Sequence, residues 1–228
     1  MREHEAFIRD VPLLGRLAQP DLRALASRGR VRTHPPGKVI FREGDPGDSL
    51  HIVVEGGVRV TLSSPAGDEA TVALLGPGEF LGDLALLDGR PRSASAIASQ
   101  RTKTLVVTRD DFCDWLAKRP AASLALLEAL SLRVRRTDEA LTDLAFLDLP
   151  QRLAKRLLYL ASFPELHLKA PEPSAVRLRI TQSELGSMLG VSRESVNKQL
   201  NAFARGGWIK LGRGSVTLLD TGALRTFT

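Results

Sequence analysis

The sequence has little of what disulfide-stabilised, metal-binding or membrane-spanning proteins need. Its 228 residues include one cysteine, Cys113, which excludes an internal disulfide and argues against a zinc or iron–sulfur site. The four histidines, His4, His34, His51 and His167, show no metal-ligand spacing. No apolar run is long enough to span a bilayer, and the charged start MREHEAFIRD has no apolar signal region. We therefore expect a cytoplasmic protein with no metal and no membrane partner.

The residue patterns of common enzyme sites are missing as well. The sequence has no nucleophile paired with a general base, no glycine-rich P-loop and no paired carboxylates with a cleft around them. It also has no internal repeats and no low-complexity tracts. We therefore expect a globular protein that binds partners and is not an enzyme.

Charge is divided unevenly along the chain. Residues 1–148 contain 20 Lys and Arg against 21 Asp and Glu, a net charge of −1. Residues 149–228 contain 12 against 5, a net charge of +7. A basic C-terminal third beside a neutral body predicts a polyanionic partner for that third, although a merely basic surface is the plainer alternative.

Residues 31–108 alternate short apolar runs with turn residues. In VRVTL, for example, Val58, Val60 and Leu62 alternate with polar neighbours, which is the period of a half-buried strand. The predicted strands are GKVIF, SLHIVVE, VRVTLSS, ATVALL, ASAIAS and TKTLVVT. Many short strands at close, even spacing predict a small sandwich or barrel.

Helical periodicity begins near residue 109 and continues in a long helix from Pro120 to about 147. Residues that are all apolar except Thr137 fall along this helix at alternating spacings of 3 and 4, which is a heptad seam. Such a seam pairs with a second copy or packs on its own domain, and we favour a homodimer because the basic residues 133–136 leave little else to bury. The seam residues are Leu127, Leu130, Val134, Thr137, Leu141 and Leu144.

The strongest motif is ITQSELGSMLGVSRESVNKQLNAFARGGWIKLGRGSVTLLD, near the C-terminus. Thr181 opens a capping box, Gly190 makes a turn, and Ser192 caps a second helix over residues 193–205. Two short helices with a glycine-containing turn predict a helix-turn-helix. The strand-like runs on either side of residues 212–214 predict a wing beside it.

The second helix of this motif carries side chains suited to reading DNA bases. Arg193 can bond guanine through two N–H groups, Glu194 can accept from cytosine, and Lys198 can reach guanine or a phosphate. Hydroxyl, amide and backbone N–H groups nearby are suited to phosphates. The residues predicted to contact phosphates are Thr181, Gln182, Ser192 and Ser195.

Three blocks of sequence resemble the CRP/FNR family of bacterial transcription regulators: GEFLGDLALLDGRPRSASA, DLAFLDLPQRLA and GVSRESVNKQLNAF. The resemblance covers about residues 8–220. It implies an α+β fold, in which a jelly-roll-like N-terminal β-roll binds a cyclic nucleotide, a long helix dimerises, and a winged helix-turn-helix binds a palindromic DNA operator. We expect these parts over residues 1–120, 121–148 and 149–228, with a hinge near Asp148.

The resemblance also implies which residues receive the nucleotide, with cAMP as the expected effector. Arg92 would neutralise the phosphate, Ser93 would donate to it, and the bare backbone at Gly82 would let N–H groups approach. Asp83 would accept from the ribose hydroxyl, and Thr137 would lie against the adenine. The implied set is Gly82, Asp83, Leu84, Arg92, Ser93, Thr137 and Asp138.

Two positions depart from the family pattern. Asp83 stands where members that bind cAMP usually have glutamate, so the ribose contact is expected to be longer, water-bridged or lost. Asp138 follows Thr137 where the best-known member has serine, and its carboxylate would weaken anionic ligands or favour another base edge.

Three functions therefore stay open. The favoured one is a cAMP-controlled regulator with RNA polymerase as a further partner. Its Arg193, Glu194 and Lys198 match the family's base-reading positions, which implies a TGTGA-like half-site. The second is the same regulator acting without cAMP, or with cGMP or a cyclic dinucleotide. The third is a redox or gas sensor; because a lone cysteine cannot hold a cluster, this alternative depends on oxidation of Cys113.

Overall fold

The computed structural model describes residues 19–64, 67, 69–170, 172 and 175–227. The part of the 1–120 domain prediction that covers residues 1–18 lies outside the described residues. The described chain divides into two compact units, the first up to residue 68 and over 72–135, the second over 69–71 and from 136 onward.

Two four-stranded sheets form the body of the first unit. Their strand orders are β1-β8-β3-β6 and β2-β7-β4-β5, where the strands are β1 (Arg30–His34), β2 (Val39–Phe41), β3 (Ser49–Glu55), β4 (Val58–Ser63), β5 (Glu69–Leu75), β6 (Phe80–Leu81), β7 (Ser95–Ala98) and β8 (Thr102–Thr108). Pairing within the first sheet is antiparallel. The predicted N-terminal β-roll is confirmed.

Four helices accompany these strands in the described chain: α1 (Gln19–Ala26), α2 (Asp83–Asp88), α3 (Arg109–Ala117) and α4 (Pro120–Phe146). Side chains of α1, α3 and the start of α4 form one apolar core with β3 and β8. Trp115 is fully buried in this core, and its indole N–H donates to Asp21 O over 3.0 Å. The predicted long helix is confirmed, and it begins at Pro120 as expected.

Strands β1 and β6 are absent from the predicted strands. β1, RVRTH, contains a single apolar residue, and β6 contains two residues in all. Both exist because a neighbouring strand completes their hydrogen bonds, with Val31 opposite Leu105 and Phe80 opposite Ile52. The sequence period does not reveal strands that are stabilised mainly by their partners.

In its described residues, the second unit contains a sheet of order β11-β12-β10-β9 and five further helical segments. Its elements are α5 (Leu149–Leu160), a 3₁₀ turn (Pro164–Leu166), β9 (His167–Leu168), β10 (Val176–Arg179), α6 (Gln182–Leu189), α7 (Arg193–Arg205), β11 (Ile209–Gly212), β12 (Ser215–Leu218) and α8 (Thr221–Arg225). Fully buried leucines, among them Leu157, Leu178 and Leu200, join the helices to the sheet. The predicted winged helix-turn-helix is confirmed.

Local capping fixes where the helices of this unit begin. Asp148 caps α5, accepting from Gln151 N, and the Gln151 side chain accepts from Asp148 N in return. Thr181 caps α6 and Ser192 caps α7. Each such cap stabilises its helix by about 1 kcal/mol, so these starts are encoded locally in the sequence.

Candidate functional site

Arg92 lies inside the β-roll, with only 3% of its surface exposed. Its Nη1 donates to Gly82 O over 2.9 Å, and its Nη2 donates to Ser49 O over 2.8 Å and to Ser49 Oγ over 3.1 Å. The guanidinium carbon lies 4.3 Å from the centre of the Phe41 ring. Three oxygens and an aromatic face therefore hold this cation in one orientation.

One nitrogen of this guanidinium makes no hydrogen bond. The buried Nε of Arg92 has no hydrogen-bond acceptor among the described residues. Burial lowers the pKa of Arg92 below its ordinary value, while the carboxylates of Asp48, Asp45 and Asp83 act in the opposite direction. A buried donor on a cation costs free energy until an acceptor meets it. The residues around Arg92 therefore fit an anionic group better than a neutral one.

Glycine is the one residue type that fits at position 82, beside Arg92. The φ of Gly82 is 85°, in the left-handed region that side chains with a Cβ rarely adopt. A Cβ built there would overlap Arg92 Nη1 and lie 2.9 Å from Ser49 O. The glycine therefore allows both the turn into α2 and the close approach of the guanidinium.

Asp83 has a partner that the sequence did not predict. Nη1 of Arg133, on α4, donates to both carboxylate oxygens over 2.9 Å, and Nη2 donates to Phe80 O over 3.2 Å. Asp83 is buried, whereas the Arg133 side chain is 40% exposed. Arg133 lies one helical turn before Thr137, which shares its face of the helix. That spacing from a suspected ligand residue was the one signal in the sequence that could have identified Arg133.

The predicted nucleotide residues fall into two groups. The structure brings Gly82, Asp83 and Arg92 together, and Ser93 follows Arg92 as an exposed residue. Leu84 is also exposed, on the first turn of α2. The remaining two residues, Thr137 and Asp138, are exposed on the part of α4 that belongs to the second unit.

The helix-turn-helix is closed by two glycines. A Cβ on Gly186 of α6 would lie 2.8 Å from Val191 O, so only glycine lets the turn pack this closely. Gly190 ends α6 in the left-handed region, with φ 66°. Apolar residues of α7, among them Val196 and Leu200, are buried against the unit. The opposite face of α7 is therefore directed to solvent.

The predicted base-reading residues lie on that solvent face. Arg193, Glu194 and Lys198 are all exposed. Arg193 also borders a cleft of about 440 Å³ between the starts of the two helices and the wing. The wing tip contributes Arg213, an exposed cation that is absent from the predicted DNA contacts, although the GRG turn marks it. The cleft thus combines helix N–H groups with two cations.

The predicted phosphate-contacting residues already make bonds within the protein. Thr181 Oγ1 donates to Glu184 Oε2 over 2.7 Å. Ser192 Oγ accepts from Ser195 N over 3.2 Å. Gln182 Nε2 donates to Asn197 Oδ1 over 3.0 Å and links α6 to α7. A phosphate here would share these groups or use the backbone N–H groups of the first helical turns.

Other kinds of site have little support in the described part of the chain. Across residues 19–64, 67, 69–170, 172 and 175–227, no cluster of three or more His, Cys, Asp or Glu could hold a metal ion. Within the same ranges, no helix is long and apolar enough to cross a membrane. Cys113 is exposed on α3.

Two known families match the chain, one on each unit. The family described as cyclic nucleotide-binding domain matches residues 31–119. The family described as Crp-like helix-turn-helix domain matches residues 151–227. The first match contains the Arg92 region, and the second contains both helices of the DNA-reading motif.

Whole proteins with the same organisation are similar over most of the chain. The CRP-like cAMP-activated global transcriptional regulator of Mycobacterium tuberculosis is 39% identical over 189 residues, 82% of this chain and 83% of that protein. The Cyclic AMP receptor protein of Thermus thermophilus is 35% identical over 213 residues, 93% of this chain and 94% of that protein. The solved structure of the c-di-GMP-responsive regulator CLP from Xanthomonas campestris has a TM-score of 0.79, covering 88% of this chain and 99% of that one, and at 23% identity it shows the fold alone. The chain therefore belongs to the CRP/FNR family, as a DNA-binding transcription regulator with a cyclic nucleotide-binding domain.

Proposed function

We propose that this regulator works as a homodimer on a palindromic operator, under the control of a cyclic nucleotide bound in each β-roll. cAMP is the first candidate effector, because the relatives from M. tuberculosis and T. thermophilus are named for it. A regulator that reads chromosomal DNA works in the cytoplasm, and RNA polymerase is its expected further partner. The proposed division is 1–120 for nucleotide binding, 121–148 for dimerisation and 149–228 for DNA binding.

The observation that carries the effector proposal is the unused Nε of Arg92. A cyclic phosphate supplies a charged acceptor oxygen for this donor and offsets the buried positive charge. Gly82, Arg92 and Ser93 would hold the phosphate, and Asp83 would be the acceptor nearest to a ribose hydroxyl. Thr137 and Asp138 complete the proposed set on the side of the base, and Leu84 is its apolar member.

The dimer proposal is supported by an unpartnered apolar stripe on α4. Four seam residues, Leu127, Val134, Leu141 and Leu144, are each about 60% exposed in the single chain. Contiguous apolar surface of this kind marks a protein interface. A second copy of α4 would bury the stripe by heptad packing, with Thr137 as its one polar position.

The operator proposal is supported by the exposed start of α7. In a two-fold dimer, two copies of this helix would meet successive major grooves about 34 Å apart, which requires a palindromic site. Arg193, Glu194 and Lys198 would read bases, consistent with a TGTGA-like half-site. The phosphate contacts would come from Thr181, Gln182, Ser192 and Ser195.

Control by the nucleotide is supported by the Arg133–Asp83 ion pair. The carboxylate belongs to the residue after Gly82, and the guanidinium belongs to α4. A ligand that competes for Asp83 therefore acts directly on the proposed dimerisation helix. It can shift the protein between two states only by the difference in its affinity for them.

The same ion pair favours a second candidate. Both Asp83 oxygens already accept from Arg133, so a ribose hydroxyl gains less from this acid than from a free one. The regulator would then act without cAMP, or with cGMP or a cyclic dinucleotide. CLP of X. campestris, which shares the fold, is a c-di-GMP-responsive regulator.

Calorimetric titration of the full-length protein with cAMP, cGMP and cyclic di-GMP separates these candidates. We expect one cAMP per subunit at micromolar or tighter affinity, and loss of that binding in Arg92→Ala. Arg90→Ala is the matched control, because this exposed arginine lies two residues away. Heat with a different nucleotide would support the second candidate, and equal cAMP affinity in both variants would remove Arg92 from the pocket.

A further inference from the structure

A second group of buried polar side chains lies next to Arg92. His34 on β1, Thr104 on β8 and His51 on β3 are all at most 9% exposed. A buried polar group lowers the stability of the fold unless it makes a hydrogen bond. These three side chains bond one another, because Thr104 Oγ1 lies 2.9 Å from His34 Nε2 and 3.3 Å from His51 Nδ1. We call these three residues the histidine chain.

The histidine chain ends on Ser49. His51 Nε2 lies 3.5 Å from Ser49 Oγ, the longest bond of the series. The same oxygen accepts from Arg92 Nη2 over 3.1 Å and donates to Asp48 Oδ1 over 2.9 Å. Ser49 is therefore the junction between the histidine chain and the guanidinium.

The hydrogen positions along this path follow from counting donors. Ser49 has one hydroxyl hydrogen, which Asp48 takes, so Ser49 must accept from His51 and His51 must carry its proton on Nε2. The free Nδ1 of His51 then accepts from the Thr104 hydroxyl. Thr104 has no second hydrogen to give, so His34 must donate to it through Nε2–H. One arrangement of neutral rings satisfies every bond.

The charges around His51 favour the same neutral form. Burial lowers the pKa of His51 to about 3, helped by the positive charges of Arg92 and Arg32 and by His34, against a smaller opposite effect of Asp48. At neutral pH the ring therefore carries a single proton.

His51 has a second route to Arg92, through Phe41. The Phe41 ring centre lies 5.7 Å from the centre of the His51 ring and 4.3 Å from the guanidinium carbon of Arg92. The position of His51 therefore affects both Phe41, whose ring lies over the guanidinium, and Ser49, one of its hydrogen-bond acceptors.

We propose that His51 is a positioning residue for Arg92, holding Ser49 and Phe41 so that the guanidinium, with its unused Nε, is preorganised for the nucleotide phosphate. This inference rests on the proposed function, because it assumes that Arg92 receives that phosphate. His51 itself is 5% exposed and is not expected to touch the ligand.

A double-mutant cycle tests the proposal. The nucleotide that binds the wild-type protein among cAMP, cGMP and cyclic di-GMP is titrated into His51→Phe, Arg92→Lys and the double variant. Arg92→Lys keeps a charge but lacks the fork that Ser49 and Gly82 hold. We expect His51→Phe to weaken binding 5- to 20-fold with Arg92 present and by less than twofold with lysine there. His51→Gln, whose amide N–H can take the place of Nε2–H, should return to within threefold of wild type.

A matched control separates positioning from general destabilisation. The hydroxyl of Thr102 is fully buried, on the same strand that carries Thr104. It donates to Gly57 O over 2.8 Å and does not contact Arg92, and Thr102→Val removes it. This variant should melt earlier yet bind the nucleotide as the wild type does. If it weakens binding as much as His51→Phe, the effect of His51 is structural and the proposal is wrong.

The failures of the two proposals can be told apart. If no nucleotide binds the wild type, or if Arg92→Ala binds normally, the proposed pocket is wrong and this inference falls with it. If Arg92→Ala binds weakly but Arg92→Lys binds normally, the charge alone is sufficient and the positioning role is refuted. If Arg92→Lys binds weakly but His51→Phe has the same effect in both backgrounds, or His51→Gln gives no rescue, the pocket stands and the positioning role is refuted.

If His51→Phe does not fold, nitrogen NMR of the histidine rings in the wild-type protein tests the proposal instead. The proposal predicts the Nε2–H form of His51 at neutral pH and a shift of its ring signals when the nucleotide binds. An Nδ1–H form, or signals that do not change at saturation, would overturn it.

Discussion

Replacing Arg193 with alanine should remove sequence discrimination at one base pair of each half-site without weakening the fold. Arg193 is exposed at the first position of α7, and its side chain makes no hydrogen bond or ion pair to another residue of the described chain. Truncation therefore leaves no buried group unsatisfied. The whole effect should appear in DNA binding, with the urea midpoint unchanged.

The size of the effect follows from the number of guanines that the proposed dimer would no longer pair with. A bidentate arginine–guanine pair is worth about 1–3 kcal/mol, and a dimer on a palindrome loses two, or about 2–6 kcal/mol. At about 1.4 kcal/mol per tenfold change, operator affinity should fall about 30- to 20,000-fold.

Fluorescence anisotropy with a set of operators, each changed at one base pair, measures this at fixed salt. Wild-type protein should lose affinity at every position of the half-site, whereas Arg193→Ala should bind equally well whichever base stands at one position. Arg205→Ala, an exposed arginine at the other end of the same helix, is the control and should keep the wild-type pattern. A uniform loss over all sequences in Arg193→Ala would mean that Arg193 contacts a phosphate.

Four further outcomes follow from the structure. Gly82→Ala should abolish the nucleotide response, because its Cβ would overlap the Arg92 guanidinium; calorimetric heat equal to wild type would contradict this. Leu200→Ala, at a fully buried site, should lower the free energy of unfolding by about 2–5 kcal/mol in urea, and a loss below about 1 kcal/mol would mean that α7 is loosely packed. Leu141→Lys should give monomers in sedimentation velocity, so an intact dimer would place the interface elsewhere. Burial, with the charge of Arg92, holds the pKa of His51 at about 3, below the ordinary 6.5 of the unfolded chain. Its contribution to stability is complete above pH 6.5 and is lost as the pH falls, by on the order of 4 kcal/mol at pH 3. Urea unfolding at a series of pH values should show that His51→Gln removes this part of the slope and keeps the part due to His34, whose pKa burial also lowers.

The helix starts were predictable because their signals are local. Thr181, Ser192 and Asp148 each bond a backbone N–H three residues away, so sequence spacing alone describes the contact. The start of α7 at residue 193 was predicted correctly for this reason, and its end at residue 205 was also predicted correctly. The strands with clear alternation, such as β4, were also found, whereas β1 and β6 depend on partner strands distant in sequence.

The arrangement around Arg92 could be predicted only in part. Its residue type and neighbours pointed to an anion, and the structure brings Gly82 and Asp83 to it. Its orientation depends on Ser49, 43 residues away, and the partner of Asp83 lies 50 residues away on α4. No local pattern encodes contacts of that range, which arise when the sheets and the long helix pack together.

Operator binding with and without the nucleotide is the most direct test of control through Arg92. A palindromic DNA with two TGTGA-like half-sites is titrated with wild-type protein at fixed salt, without ligand and with saturating cAMP, cGMP or cyclic di-GMP. We predict that one nucleotide tightens binding about 5- to 150-fold, the usual range of coupling between two sites, and that Arg92→Ala loses this change while Arg90→Ala keeps it. Equal affinity under all four conditions would contradict the claim that a nucleotide at Arg92 controls the DNA-binding unit.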